Sequence, residues 1–164
     1  GMDVTQFGTD PEQLHASSVA CFDAVARFPK PLVAYINGPA VAGGFALALL
    51  CDVRVAALEA RMGFPEIGRH IPPSYAAARA ALPEALAREL CLTGRILSAG
   101  EARDRGVLAD IGGIGAALGI AREIAAAPPA ATREVKRRIL LAGESTWLAL
   151  LADEAEQLKA ALGL

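Results

Sequence analysis

The strongest constraint on what this chain can fold into is a stretch without charge. Residues 32–51 contain no Asp, Glu, Lys or Arg, and a run of that length can cross a bilayer as one helix. It is interrupted, however, by Asn37-Gly38-Pro39 and by Gly43-Gly44. Asn-Gly-Pro is turn chemistry, and proline removes a backbone donor that a continuous helix needs. The run therefore reads as two short buried elements joined by a loop, not as a membrane span. Leu32 to Ile36 reads as a buried strand. Phe45 to Cys51 reads as a small helix, buried on all sides because it carries no polar side chain. Asp52 to Ala56 alternates in polarity and reads as a second strand. Strand–loop–helix–strand is the organisation of a layered α/β fold.

Local signals order the rest of the chain. Asp10-Pro11-Glu12 supplies an N-cap and a proline at the first helical position. A helix is expected from there to about Phe28, with the apolar positions Leu14, Val19, Phe22, Val25 and Phe28 approximating one face. Beyond Ser74 the chain reads as mostly helical, at about 74–81, 83–92, 98–105, 114–127, 130–142 and 145–162, with Pro128-Pro129 separating two of these. Val107-Leu108 and Ile111 suggest a short extended piece. No internal repeat is present. The spacings Glu134…Arg138 and Glu154…Lys159 read as ordinary solvated helix surface. His15 is expected at the surface.

Composition narrows the function classes. The chain has 164 residues, 54% hydrophobic and 21% charged, with a formal net charge of -2. That profile suits a single globular domain with a real core. It argues against nucleic acid or an anionic membrane as the main partner. Cys21, Cys51 and Cys91 are too widely spaced for a disulfide framework or a zinc site, and each has apolar neighbours, so buried free thiols are expected. No metal or bound cofactor is expected. A reducing, cytoplasmic compartment fits, and the N-terminal residues show no basic segment followed by an apolar run.

Chemistry points to Gly43-Gly44. A glycine pair opening a buried helix leaves unpaired N–H groups at the positive end of the helix dipole and lets a ligand approach the backbone. Such a site can hold an oxygen that gains negative charge during reaction. Close packing of strand, loop and helix also calls for glycine, so the dipeptide alone leaves both readings open.

The segment from Lys30-Pro31 through Asn37-Gly38, Ala42-Gly43-Gly44 and Cys51-Asp52 resembles the signature of the enoyl-CoA hydratase/isomerase (crotonase) family. Arg61-Met62-Gly63-Phe64-Pro65-Glu66 resembles the element that follows it. Leu92-Thr93-Gly94-Arg95, Ser98-Ala99-Gly100-Glu101-Ala102 and Gly106-Val107-Leu108 resemble later elements in the same order. The resemblance implies a crotonase-like (ClpP/crotonase) layered α/β fold, here with a reduced sheet and a helical C-terminal part. It divides the chain into 1–110, a core lacking the family's first strands, and 111–164, a helical trimerisation region.

Roles follow from the same resemblance. Gly43 aligns with an oxyanion-hole donor whose N–H holds a thioester oxygen. Gly1-Met2-Asp3 matches the motif of the other donor, which assigns it to the Met2 N–H. Glu66 aligns with a proton-moving carboxylate, set on a loop after Pro65 and near apolar neighbours that raise its pKa. A lone loop glutamate can equally be just solvated. Ala42, Gly44 and Pro65 are expected against the substrate, an acyl-CoA thioester.

The chain also departs from the family pattern. The second family carboxylate falls at Ala46, which favours moving a double bond with one base over adding water with two. Ile71-Pro72-Pro73-Ser74-Tyr75-Ala76 replaces a glycine-rich stretch, and His70 and Tyr75 there read as structural before they read as pocket-lining. The expected activity is an enoyl-CoA isomerase or hydratase in fatty acid metabolism, working as a homotrimer or hexamer. The alternative is a non-catalytic or truncated crotonase-like subunit without turnover.

Overall fold

The computed structural model describes residues 10–161. Helix α1, Pro11–Ala26, starts where the sequence places it: the Asp10 side chain accepts from the Gln13 N–H at 2.9 Å, and Pro11 is its first residue. Strand β1, Val33–Ile36, is followed by β2, Ala40–Val41, helix α2, Gly43–Leu50, and strand β3, Val53–Ala56. β1 and β3 pair in parallel with Val33 opposite Val53 and Tyr35 opposite Val55. β6, Asp110–Ile111, adds to the far side of β3, giving the parallel order β1-β3-β6. A second small sheet has the order β2-β4-β5, where β4 is Arg61–Gly63 and β5 is Ile96–Ser98.

The helices α3, Tyr75–Ala81, α4, Glu84–Thr93, α5, Ala99–Asp104, α6, Ile114–Ala126, α7, Pro129–Glu144, and α8, Trp147–Ala161, match the expected positions closely. Their ends show why. Ser98 and Glu101 form a reciprocal capping box that starts α5, Gly94 ends α4 in the left-handed region, and Pro128-Pro129 divides α6 from α7. α2 packs on α1, α3 and β1, α6 lies over β1 and β3, and α8 lies against α1, α3 and α7. The core contains Phe45, Leu49, Val55, Met62, Phe64, Leu90 and Leu97, all essentially sealed from solvent. Each such side chain contributes about 1.5–3 kcal/mol of burial.

Several burial expectations need correction. Of the five apolar positions assigned to α1, only Leu14 is buried, while Phe28 lies past the helix end and is 40% exposed. Phe22 and Val25 are half-buried and pack against the core, and α1 also buries the small Ser18 and Ala26. β1 is half-buried except at Ile36, because among the described residues it is the edge of its sheet. α2 is not covered all round: Gly44 and Leu47 line an open groove of about 330 Å3 with Tyr35, Asn37 and Pro39. Cys21 is exposed, Cys51 half-buried and only Cys91 buried. His15 is half-buried and bonded to α8 through the Ala155 carbonyl. Glu154 is not solvated surface either. It is half-buried and accepts from Ser74 and Ala76.

Candidate active site

Two short strands bring the candidate segments together. β2 and β4 run parallel with Ala40 opposite Met62 and Val41 opposite Gly63. Parallel strands leave a sheet at the same end, so the residues that follow them emerge side by side. After β2 come Ala42 and Gly43; after β4 come Phe64, Pro65 and Glu66. The Ala42 N–H donates to the Gly63 carbonyl at 3.0 Å. The sealed Phe45 and Phe64 rings pack with centroids 5.1 Å apart at 49°. The helix start and the glutamate turn are therefore locked to each other by backbone and by aromatic packing.

The start of α2 holds strain and free donors. Ala42 has φ 52° and ψ -129°, a region that a residue with a Cβ avoids. Such a conformation costs on the order of 1–3 kcal/mol and persists only where the surroundings impose it. No side chain caps the helix. Among the described residues the Gly43 and Gly44 N–H groups have no protein acceptor. A Cβ at Gly43 would meet only the Phe22 ring at an ordinary 3.6 Å, and one at Gly44 would meet nothing within 4 Å. Packing therefore does not require glycine at either position, which favours the ligand-approach reading. Ala46, one turn on, is buried and brings no carboxylate.

Glu66 lies in a 3-10 turn, Pro65–Arg69, not on an irregular loop. Pro65 presets the first residue and His70, at φ 62°, ends the turn. Burial raises the Glu66 pKa above the ordinary 4.5, opposed in part by a bond from its own backbone N–H. Its Oε2 is sealed from solvent and has no partner among the described residues. A half-buried carboxyl whose pKa is raised and which keeps one unengaged oxygen is suited to take up and return a proton. Behind the turn sits Gly94. A Cβ there would lie 2.7 Å from the Ile67 side chain and 3.2 Å from the Phe64 carbonyl oxygen, and its φ is +68°. Gly94 is thus required by the fold of the glutamate turn, a role that appears only once the two segments touch.

The other expected site residues fall as follows. Ala42 and Gly44 are half-buried beside the free donors, and Pro65 is exposed at the head of the turn. Met2 lies outside the described residues. His70 is exposed, and Tyr75 packs against the core from the first turn of α3. Sequence reasoning missed the residues at the far end of α2. The buried Arg54 donates to the Cys51 and Val107 carbonyls, and the buried Lys136 reaches both Asp52 oxygens at 2.8 Å. The only signal for the first was an arginine inside an apolar strand. Cys91 is pushed up to about 12, mainly by burial and then by the charges of Glu154 and Glu66, so it is an inert thiol at neutral pH. Among the described residues no group of three or more His, Cys, Asp or Glu could hold a metal, and no helix is long and apolar enough to cross a membrane.

Known proteins are similar to this chain in sequence and fold. The family model for enoyl-CoA hydratase/isomerase matches residues 1–161. The chain is 34% identical over 136 residues to the 2,3-dehydroadipyl-CoA hydratase of Escherichia coli, covering 79% of this chain and 53% of that one. It is 35% identical over 119 residues to the (E)-benzylidenesuccinyl-CoA hydratase of Thauera aromatica, covering 68% and 46%. A solved enoyl-CoA hydratase from Mycobacterium avium superposes with a TM-score of 0.68 at 31% identity, over 81% of this chain and 64% of that one. The chain spans about half the length of the curated relatives it matches. With free donors at the start of α2, a half-buried glutamate beside them and a family match over nearly every residue, the chain belongs to the enoyl-CoA hydratase/isomerase family.

Proposed function

We propose that the chain binds an acyl-CoA thioester and stabilises its enolate at the start of α2, with Glu66 moving the proton. The observation that carries this is the parallel β2/β4 pair, which sets the free Gly43 N–H and the unengaged Glu66 oxygen at one end of the same sheet. Removing a proton beside a thioester puts charge on its oxygen, and a fixed backbone donor stabilises that charge before it forms. The Met2 N–H serves as the second donor in this reading. Ala42, Gly44 and Pro65 flank the acyl group.

With Ala46 in place of a second carboxylate, a single base is available. Glu66 removes a proton from one carbon and returns it two carbons away, so isomerisation of 3-enoyl-CoA exceeds hydration of 2-enoyl-CoA. No cofactor takes part. The related hydratases carry names that favour water addition, and a side-by-side assay decides. Faster hydration than isomerisation overturns the single-base reading, and no turnover of either substrate overturns the enzyme.

Self-association belongs to the same reading. Ile114, Leu118, Val135, Ile139, Leu141 and Leu150 are large apolar residues exposed on α6, α7 and α8. A homotrimer or hexamer joined through these helices covers them. Light scattering over a concentration series tests it, and a monomer throughout sinks it.

A further inference from the structure

Adjacent residues of α8 grip two distant parts of the chain. Ser74 Oγ donates to Glu154 Oε2 at 2.6 Å, and the Ala76 N–H donates to Glu154 Oε1 at 2.7 Å. One residue further, the Ala155 carbonyl accepts from His15 Nε2 at 2.8 Å. These partners belong to the two helices that adjoin the segments of the proposed site. Ser74 and Ala76 begin α3, the direct continuation of the glutamate turn: the Ile71 N–H bonds back to the Glu66 carbonyl at 3.2 Å, and only Pro72 and Pro73 separate Ile71 from Ser74. His15 belongs to α1, whose Phe22 ring backs Gly43.

Both oxygens of Glu154 are engaged, in contrast to Glu66. Ser74 is itself committed, since its Oγ accepts from the Ala77 N–H at 3.1 Å to cap α3. Burial outweighs these bonds in raising the Glu154 pKa, so the group is held inside at a desolvation cost.

We propose that Glu154 is a positioning residue: by holding Ser74 and Ala76 it anchors the segment leaving Glu66 and so sets that carboxylate relative to Gly43. This rests on the reading of Gly43 and Glu66 as the acyl-CoA site. Glu154 itself moves no proton, because its oxygens already accept from two donors.

Three variants of the chain test this: Glu154→Ala, Glu154→Gln and Ser74→Ala. Glutamine keeps an oxygen for the Ala76 N–H and an N–H that can donate to Ser74 Oγ. The readouts are amide hydrogen exchange over residues 66–80 and the separate kcat and KM for 3-enoyl-CoA. Glu154→Ala is expected to speed exchange in that segment and lower kcat on the order of 10- to 100-fold, with KM changed by less than about 3-fold. Glu154→Gln restores most of both, and Ser74→Ala falls between. Unchanged exchange and kcat in Glu154→Ala overturn the inference. Restored protection without restored kcat in Glu154→Gln also overturns it, since that result makes the charge itself the active element. If Glu154→Ala does not fold, Ser74→Ala decides on the same readouts. A wild-type chain without turnover overturns the function proposed above, and exchange alone then judges the anchor: lost protection confined to 66–80 supports it, and unaltered protection ends it.

Discussion

The two ends of α2, eight residues apart at most, are finished in opposite ways. At the N-terminal end the backbone is strained at Ala42, no side chain caps the helix, and the Gly43 and Gly44 N–H groups are free among the described residues. At the same end of the β2/β4 pair, the Glu66 Oε2 is sealed and has no partner among the described residues. At the C-terminal end the carbonyls of Ala48, Leu49 and Cys51 all accept from Arg54, Asp52 accepts from the Leu32 N–H, and Lys136 closes on Asp52. Polar groups left unsatisfied cost free energy, and they persist where something outside the fold completes them. Saturated groups have nothing left to offer a ligand. A cavity of about 240 Å3 lies beside Asp52, Arg54 and Lys136, yet the proposed chemistry is at the less charged end.

Four experiments break or sharpen this contrast. The largest effect is expected for Glu66→Gln at the open end. Turnover should fall by at least about 100-fold, the lower range for losing a general base, with acyl-CoA binding nearly intact. Full activity in that variant would show that Glu66 is an ordinary half-buried side chain. At the saturated end, Lys136→Ala strands the Asp52 carboxylate, whose side chain is 15% exposed. Breaking a buried pair this way costs about 3–5 kcal/mol. A urea midpoint close to wild type would mean that water replaces the lysine and the end is not structural.

Gly94→Ala should act on both properties at a smaller scale. A Cβ must enter the space of the Ile67 side chain in a left-handed conformation, at a cost of about 1–3 kcal/mol. The damage should centre on the glutamate turn, lowering kcat more than stability predicts. A variant with wild-type kcat would detach the turn from the chemistry.

The smallest effect is in pH dependence. The folded pKa of Glu66 is raised above its ordinary 4.5. Its contribution to stability is therefore fully present below that value and is lost as pH rises through the folded pKa. In Glu66→Gln the loss is absent, so wild type should lose stability relative to the variant as the pH rises above about 4.5 and through the raised folded pKa. Glu154 shifts in the same direction but is common to both proteins and cancels. A difference that grows as the pH falls would contradict the burial of Glu66.

Much of the architecture was legible because its causes are local. Asp10-Pro11, the Ser98 and Glu101 box, Pro128-Pro129 and Gly94 each act within a turn or two of themselves, and the helices begin and end at them. The Gly43 position was legible for a similar reason: a glycine pair between a turn and an apolar run marks the start of a helix wherever that helix packs. Burial was less legible. The apolar residues of α1 do not say which of them meets a neighbour, and Cys21 looks as apolar in its surroundings as Cys91 until one is seen to face solvent.

What the sequence determined by itself, then, is the helices, the strands β1 and β3, several of the caps, and the glycine pair that opens α2, while the short strands β2, β4 and β5 went unread. Only the tertiary structure decided what accompanies the glycine pair. The parallel register of β2 and β4 brings the Glu66 turn and the start of α2 to one end of the same sheet, Gly94 must be a glycine because of a segment almost thirty residues earlier, and Glu154 turns inward onto Ser74, the cap of a helix 80 residues before it. Caps and turns come from interactions among neighbours in the chain, whose geometry the covalent backbone already limits. Which carboxylate is left with a free oxygen and which is fully engaged depends on contacts between residues far apart in sequence, and those exist only once the core has packed.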